Sequence, residues 1–432
     1  VGGDGVGSVA GGGMERGSDC TRGLLAAAGR CATDARMRRL WIRAAYRAPA
    51  LVEGAQGPCQ PGLFKRGDHA DGDDRTGRLT GFGVLKQTWV PMAEPALMIV
   101  GTFAPTSTGR YLAKAARLVG LRVVEVAEAQ AYPRIQKFQS AYQRFFRAEP
   151  MRLRAFSRLV VSRAERERVS ACLVVGNAPL DAQALSDLRR LGVMTMNYST
   201  DDPWNLGNWC AWRLPTLSQY SAIFTPRPGN VQQLRATGCP RVELLPFGYD
   251  PETHRPATEV ELAAETRAAD VVFIGGADAD RAPFMRALVG TGLKVSLYGA
   301  YWDRVRDLRG HYGGKLGPLG MRTVLGRAKM SVCLVRRANR DEHVMRTYEE
   351  PAMGSCVVME DTRQHRELFP GVAAHGFFRT PGELVDCVRR LSADEQLRAS
   401  LKACQWAAVT GGENTYESRL RSMLAPTGLL AG

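Results

Sequence analysis

The sequence predicts an α/β protein of two doubly wound parallel-sheet domains facing each other across a cleft. Three observations carry that expectation. From Met92 onward, apolar runs of strand length alternate with stretches of helical periodicity, the rhythm of parallel β-α-β units. The alternation breaks once, at a polar, proline-bearing stretch over residues 251–258, and then restarts. Finally, 432 residues of which 45% are hydrophobic suffice for two filled cores rather than one.

In order, the first domain offers strands over residues 96–101, 122–126, 171–175, 193–197, 222–225 and 242–245. Helical periodicity falls between them over 111–118, 152–168, 181–191 and 230–237. After the linker, strands are expected over 271–275, 295–298, 330–334 and 357–359, followed by helices over 381–391, 393–408 and 416–424. The last helix either completes the second domain or packs back across the first. The predicted domains are therefore 92–253 and 254–432, with ligands expected at the carboxyl ends of the two sheets.

Residues 1–91 differ in texture, holding 18 of the 46 glycines and a polar run over 66–78. They are expected to be poorly ordered, either a low-complexity tail or a stretch upstream of a start at Met92. Their 13 basic and 9 acidic residues net +4, so +11 of the formal +15 belongs to the folded part. Such an excess suits a partner carrying phosphate or an acidic surface.

The ten cysteines run from Cys20 to Cys404 without a C-x-x-C pair, and Cys172, Cys333 and Cys356 sit in apolar runs, as reduced core residues would. No run approaches the roughly 18 apolar residues needed to span a bilayer, and no signal pattern opens the chain. The expected location is cytoplasmic, with peripheral contact at the inner membrane surface left open. No G-x-G-x-x-G follows residues 97–100, which disfavours a dehydrogenase. Basic residues are interspersed with acids and no RNP, zinc or helix-turn-helix signature occurs, so nucleic acid is not the expected partner.

The most informative stretch is Val335-Arg-Arg-Ala-Asn-Arg-Asp-Glu-His-Val-Met-Arg-Thr-Tyr-Glu-Glu-Pro-Ala-Met-Gly354, which leaves a strand, makes a polar loop and enters a helix. It resembles the donor-site segment of the CgeB-like (spore maturation protein B-like) glycosyltransferases, a loop rich in Asn, Arg and Asp followed by Arg-Thr-Phe-Glu-x-Pro-Ala-x-Gly. Arg346, Glu349, Pro351, Ala352 and Gly354 stand at the matching places, with Tyr348 for the usual Phe. The resemblance runs from about Pro95 to about Leu424 and implies the two-domain GT-B architecture, with Rossmann-like domains.

It also implies a nucleotide-sugar donor in the second domain and an unnamed acceptor (glycan, lipid or protein) on the first. A nucleotide sugar needs its diphosphate neutralised, its ribose held and its leaving group stabilised. Asn339, Arg340 and Arg346 near a helix start would meet the diphosphate without a metal. Glu349 would accept from both ribose hydroxyls. Asp341, eight positions earlier, would be the first acid of the Glu-x7-Glu pair of GT-B enzymes, although Glu342 and Glu350 share that spacing. Retention of anomeric configuration is what such a pair implies.

The strand end Asp270-Val-Val-Phe-Ile-Gly-Gly276 puts Gly275 and Gly276 where the family borders its donor phosphates. Asp278-Ala-Asp280 and Asp71-Gly-Asp73 have the D-x-D spacing of a metal chelate, a spacing common by chance, and no metal is expected. In the first domain Asp201 and Asp202, within Met196-Asn-Tyr-Ser-Thr-Asp-Asp-Pro-Trp-Asn205, resemble the family's Asp-Asp-Pro segment. They read either as acceptor-orienting or basic residues or as turn formers. Leu245-Pro-Phe-Gly-Tyr-Asp-Pro-Glu-Thr-His-Arg-Pro256 resembles the interdomain signature, with His254 expected to be a hinge residue rather than a catalyst. Asn414 departs from the family's usual His. The alternative to an enzyme is a non-catalytic nucleotide-sugar binder of the same fold.

Overall fold

Six parallel strands form the first sheet, and each is either followed by a helix or linked by a short irregular crossover. The computed structural model describes residues 95–133 and 149–430, apart from 209, 264, 266, 267, 373 and 374. The expected tail, Met92 and Asp71-Gly-Asp73 lie outside the described residues. In chain order the first lobe runs β1 (Ala96–Gly101), α1 (Thr108–Leu118), β2 (Arg122–Ala127), α2 (Leu153–Arg166), β3 (Val169–Val175), α3 (Ala182–Arg190) and β4 (Met194–Tyr198). It continues through β5 (Ala222–Thr225), α4 (Pro228–Ala236) and β6 (Val242–Leu244). The strand order is β2-β1-β3-β4-β5-β6.

Every residue of β1 is buried, because helices cover both sheet faces, which is why the strand reads as an unbroken apolar run. Helix starts follow local chemistry. Ser107 and Asp181 cap α1 and α3 by accepting from Arg110 N and Ala184 N, and Pro228 opens α4 where its missing N–H costs nothing.

The second lobe comprises α5 (Glu259–Ala263), β7 (Ala269–Ile274), α6 (Ala282–Val289), β8 (Val295–Tyr298), α7 (Pro318–Gly326), β9 (Ala328–Cys333) and α8 (Arg346–Ala352). Then come β10 (Val357–Glu360), α9 (Arg363–Leu368), β11 (Phe377–Phe378), α10 (Pro381–Ala393), α11 (Glu395–Thr410) and α12 (Tyr416–Leu424). Its five parallel strands are ordered β11-β10-β9-β7-β8. Expected elements recur with their ends displaced by at most three residues. The two-residue edge strand β11 and helices α5, α6, α7 and α9 were not foreseen, whereas α8 is the helix expected after the polar loop. Cys172, Cys333 and Cys356 are buried free thiols. No helix among the described residues is long and apolar enough to cross a membrane.

The chain crosses between lobes twice. After β6 it passes through residues 245–258, and after α11 it returns so that α12 packs against α1. The crossings touch: Tyr249 N donates to Asn414 O at 3.0 Å and Tyr416 N to Tyr249 O at 2.9 Å. Gly248 permits this, since a Cβ there would stand 2.7 Å from Asn414 O. Asn414 earns its place differently from the histidine of the family pattern. Its Nδ2 donates to Ala408 O and Val409 O, closing the end of α11, while its Oδ1 accepts from Arg419 Nη2. Tyr416 stacks on Tyr111 with ring centroids 5.3 Å apart, joining the cores of the two lobes.

Candidate donor site and interlobe seam

In the second sheet β7 has β8 on one side and β9 on the other, so the connections leave in opposite directions and a crevice opens between the carboxyl ends of β7 and β9. A cavity of about 230 Å³ occupies that crevice, floored by Ile274, Gly275, Cys333 and Leu334 and roofed from the first lobe by Thr200 and Phe247. Its charged lining is Arg227, Arg281, Arg336, Arg346 and one acid, Asp341. Such a cavity favours a ligand carrying several negative charges.

Gly275 lines the cavity, and the Phe273 ring beneath it leaves no room for a side chain, since a Cβ would lie 2.8 Å from that ring. Trp302 Nε1 donates to Gly275 O at 2.8 Å and pins the turn. Gly276 stands off the cavity wall, and its carbonyl accepts from Arg281 Nη1 at 3.2 Å. Arg281 Nη2 also donates to Leu334 O at 3.3 Å, so its guanidinium is carried between the two strand ends. Asp278 accepts from Asp280 N and Arg281 N, the role of a turn residue at the start of α6.

The loop after β9 divides its residues between the cavity and the other lobe. Asn339 lines the cavity but also accepts from Asn205 Nδ2 at 2.6 Å and donates to Asp201 Oδ1 at 3.2 Å. Arg340, at φ 54°, turns away from the cavity. Its guanidinium donates to both carboxylate oxygens of Asp202, to Asn230 Oδ1 and to Gln233 Oε1. The expectation that Arg340 meets a diphosphate is therefore corrected for this arrangement of the lobes. The same contacts seal Asp202, whose side chain is 2% exposed, so it has no reach to an acceptor hydroxyl. Asp201 remains one-third exposed, 3.8 Å from Arg336 Nη1.

Asp341 faces the cavity and accepts from Arg227 Nε at 2.5 Å across the seam. Arg227 also donates to Ser199 O and Thr200 O. Burial pushes the Asp341 carboxyl up to about 6, with Arg227 opposing. The competing register points elsewhere. Glu342 pairs with Arg363 at the surface, whereas Glu350 is enclosed, accepting from Ser331 Oγ at 2.7 Å and raised to about 7 by burial.

Arg346 lines the cavity from the start of α8, paired with Glu349 one turn on. Glu349 itself is fully buried and off the cavity wall, which corrects the expectation that its carboxylate lies open to a ribose. Its Oε2 takes Arg346 and its Oε1 faces His254 Nε2 at 3.5 Å. His254 is buried and hydrogen-bonded, consistent with a hinge position.

Three cavity arginines, Arg227, Arg281 and Arg336, escaped sequence reasoning. Arg336 lies within the quoted loop but looked like any solvated charge, whereas Arg227 follows directly on β5, and its place at a strand's carboxyl end was the available signal. On the first lobe, the crevice between β1 and β3 presents Thr102, which donates to Glu128 Oε1, and the buried Arg213, which donates to Asn177 Oδ1. Burial raises the Glu128 carboxyl above its ordinary range, with Thr102 and Arg213 opposing.

Residues 281–425 match a family model described as glycosyl transferase-like. Among solved structures, sucrose-phosphate synthase from Thermosynechococcus elongatus is similar at TM-score 0.58 and 12% identity, over 78% of this chain and 100% of that one. Anabaena HepE in complex with UDP-glucose is similar at TM-score 0.53 and 13% identity, over 77% and 98%. The architecture is GT-B. The N-terminal domain of Candida albicans trehalose-6-phosphate phosphatase shares the fold at TM-score 0.54 and 11% identity, over 82% of this chain and 99% of its own. No curated protein sequence matches the chain. Within this GT-B frame, the arginine-lined cavity occupies the crevice of the C-terminal lobe.

Proposed function

We propose that this chain is a CgeB-like glycosyltransferase that moves a sugar from a nucleoside diphosphate donor to an acceptor hydroxyl without a metal. The observation that carries the reading is the cavity at the β7/β9 crevice, with Arg281, Arg336 and Arg346 around it and Asp341 as its one acid. A glycosyl transfer breaks the bond between the anomeric carbon and the diphosphate oxygen, and three guanidinium groups stabilise the charge that collects there. The UDP-glucose held by HepE, on the same fold, is a donor of this class. The family model over residues 281–425 covers most of the lobe assigned to that donor, from the start of α6 onward.

Retention of configuration fits the acid inventory. Asp202 is sealed and Asp341 is tied to Arg227, so neither is free to take the acceptor proton, and in a retaining transfer the departing diphosphate oxygen takes it. The acceptor is assigned to the first-lobe crevice by Thr102, Glu128 and Asp201. The non-catalytic alternative draws on the same sealing of Asp202.

A thermal-shift panel of UDP-, GDP- and TDP-sugars, with Arg346→Ala in parallel, tests the donor site. A donor at about 100 times its Kd adds roughly 2.7 kcal/mol to the folded state. Stabilisation of the parent by one nucleotide class and not of the variant supports the assignment, and no response to any class overturns it. Release of free nucleoside diphosphate on incubation then separates an enzyme from a binder.

A further inference from the structure

His254 lies on the first interlobe crossing, and its surroundings fix its proton. The backbone N–H of Asp250 donates to Nδ1 at 2.9 Å, and a backbone N–H can only donate, so Nδ1 is an acceptor and the proton of the neutral ring is on Nε2. Burial and the nearby Arg346 hold the imidazolium form down to about pH 3, so the ring is neutral at any ordinary pH. The Nε2 proton has two acceptors within reach. One is Tyr111 Oη at 3.1 Å, whose own proton goes to Pro105 O at 3.2 Å. The other is Glu349 Oε1 at 3.5 Å, a buried atom that no hydrogen bond satisfies.

We infer that His254 is a positioning residue for the donor site: the dipole of its fixed Nε2–H, 3.5 Å from Oε1, orients the buried Glu349 carboxylate, which in turn presents Arg346 to the cavity. The inference rests on the donor-site reading for its function and on geometry for its mechanism. Glu349 is fully buried and has its other oxygen on Arg346, so the rotation of that carboxylate sets where the guanidinium points. A guanidinium aimed by a fixed carboxylate loses less freedom on binding than one aimed by solvent. Because Tyr111 belongs to α1 of the first lobe, the same proton also ties the aim of Arg346 to the seating of the lobes.

Two variants of similar size separate the halves of the ring. His254→Asn keeps an acceptor for Asp250 N–H but is too short to reach Glu349, whereas His254→Gln carries an N–H to the Nε2 position and gives up the Asp250 contact. Full-length protein is titrated with inorganic pyrophosphate, the part common to all donors, by calorimetry. The expected result is about a tenfold loss of affinity in His254→Asn and near-parental affinity in His254→Gln. The reverse order, or equal affinity in all three proteins, overturns the inference. If the Asn variant does not fold, His254→Ala takes its place: a tenfold loss in Ala restored in Gln supports the inference, and equal affinity in the two overturns it.

If the parent itself does not bind pyrophosphate, the donor-site reading fails, and a ligand-free cycle judges the positioning role. Urea unfolding of His254→Asn, Glu349→Gln and the double variant should give non-additive changes. Additive changes overturn the contact.

Discussion

Arg340 of the second lobe donates to both carboxylate oxygens of Asp202 in the first, from Nε at 2.6 Å and from Nη2 at 2.9 Å. This bidentate pair is the anchor of the seam between the lobes, and one partner is sealed while the other is 43% exposed along its side chain. Arg340→Ala leaves a buried carboxylate uncompensated and is expected to cost about 3 kcal/mol in urea unfolding. Asp202→Asn, which keeps hydrogen-bonding capacity, should cost less. The double variant should fall short of the sum, because the two changes remove one interaction.

Arg336 offers the opposite case. It lines the cavity with a side chain 44% exposed and its nearest acid 3.8 Å away. Arg336→Ala should leave the unfolding free energy of the unliganded protein within about 0.5 kcal/mol of the parent, as surface changes do. The same variant should weaken nucleoside diphosphate binding about tenfold by calorimetry, a loss of about 1.4 kcal/mol.

Glu350 predicts a pH dependence. Its carboxyl is raised from 4.5 to about 7 by burial, so the folded state holds a proton that the unfolded chain releases. The stability this contributes is complete below pH 4.5 and is lost as pH rises through 7, on the order of 3 kcal/mol at 1.36 kcal/mol per unit. His254, His343 and His365, lowered to about 3, 3 and 4 by burial, act with the opposite sign, losing stability as pH falls from 6.5. Subtracting the Glu350→Gln profile from that of the parent isolates the carboxyl. The expected difference is a relative gain for the variant that grows between pH 4.5 and 7, read from urea midpoints.

Gly248→Ala should loosen the double crossing. Its Cβ would stand 2.7 Å from Asn414 O, a backbone atom that cannot swing aside. Overpacking of this kind costs about 1–3 kcal/mol. Hydrogen exchange at the amides of Tyr249 and Tyr416, which make the bridge, should accelerate more than exchange in β1.

The sheets were legible because strands buried on both faces leave unbroken apolar runs, and Ala96–Gly101 is the plainest instance. Helix α8 carries Pro351 and spans seven residues, too short for a periodicity to show, so that only the motif announced it, while β11 has only Phe377 and Phe378. At the site, Gly275, Asn339, Asp341 and Arg346 of the motif segments line one cavity. Arg340, Asp202 and Glu349 were misplaced because their partners come from other segments: Arg340 and Asp202 are 138 positions apart, and Glu349 meets His254 of the crossing. A local pattern specifies the residue types and not which of them will be sealed by the opposite lobe. Arg227 shows the converse, a distant side chain whose importance appears only when Asp341 arrives beside it.

The return of α12 onto α1 also orders events during synthesis. Ribosomes deliver the first lobe early, yet Tyr111 and its helix wait for Tyr416, Leu420 and Met423 to be made before that face is covered. Until then the nascent first lobe presents an aromatic, greasy surface, the kind that chaperones bind and proteases find. A chain cut short before Tyr416 therefore keeps that face of α1 uncovered, and the first lobe gains its full cover only when α12 arrives.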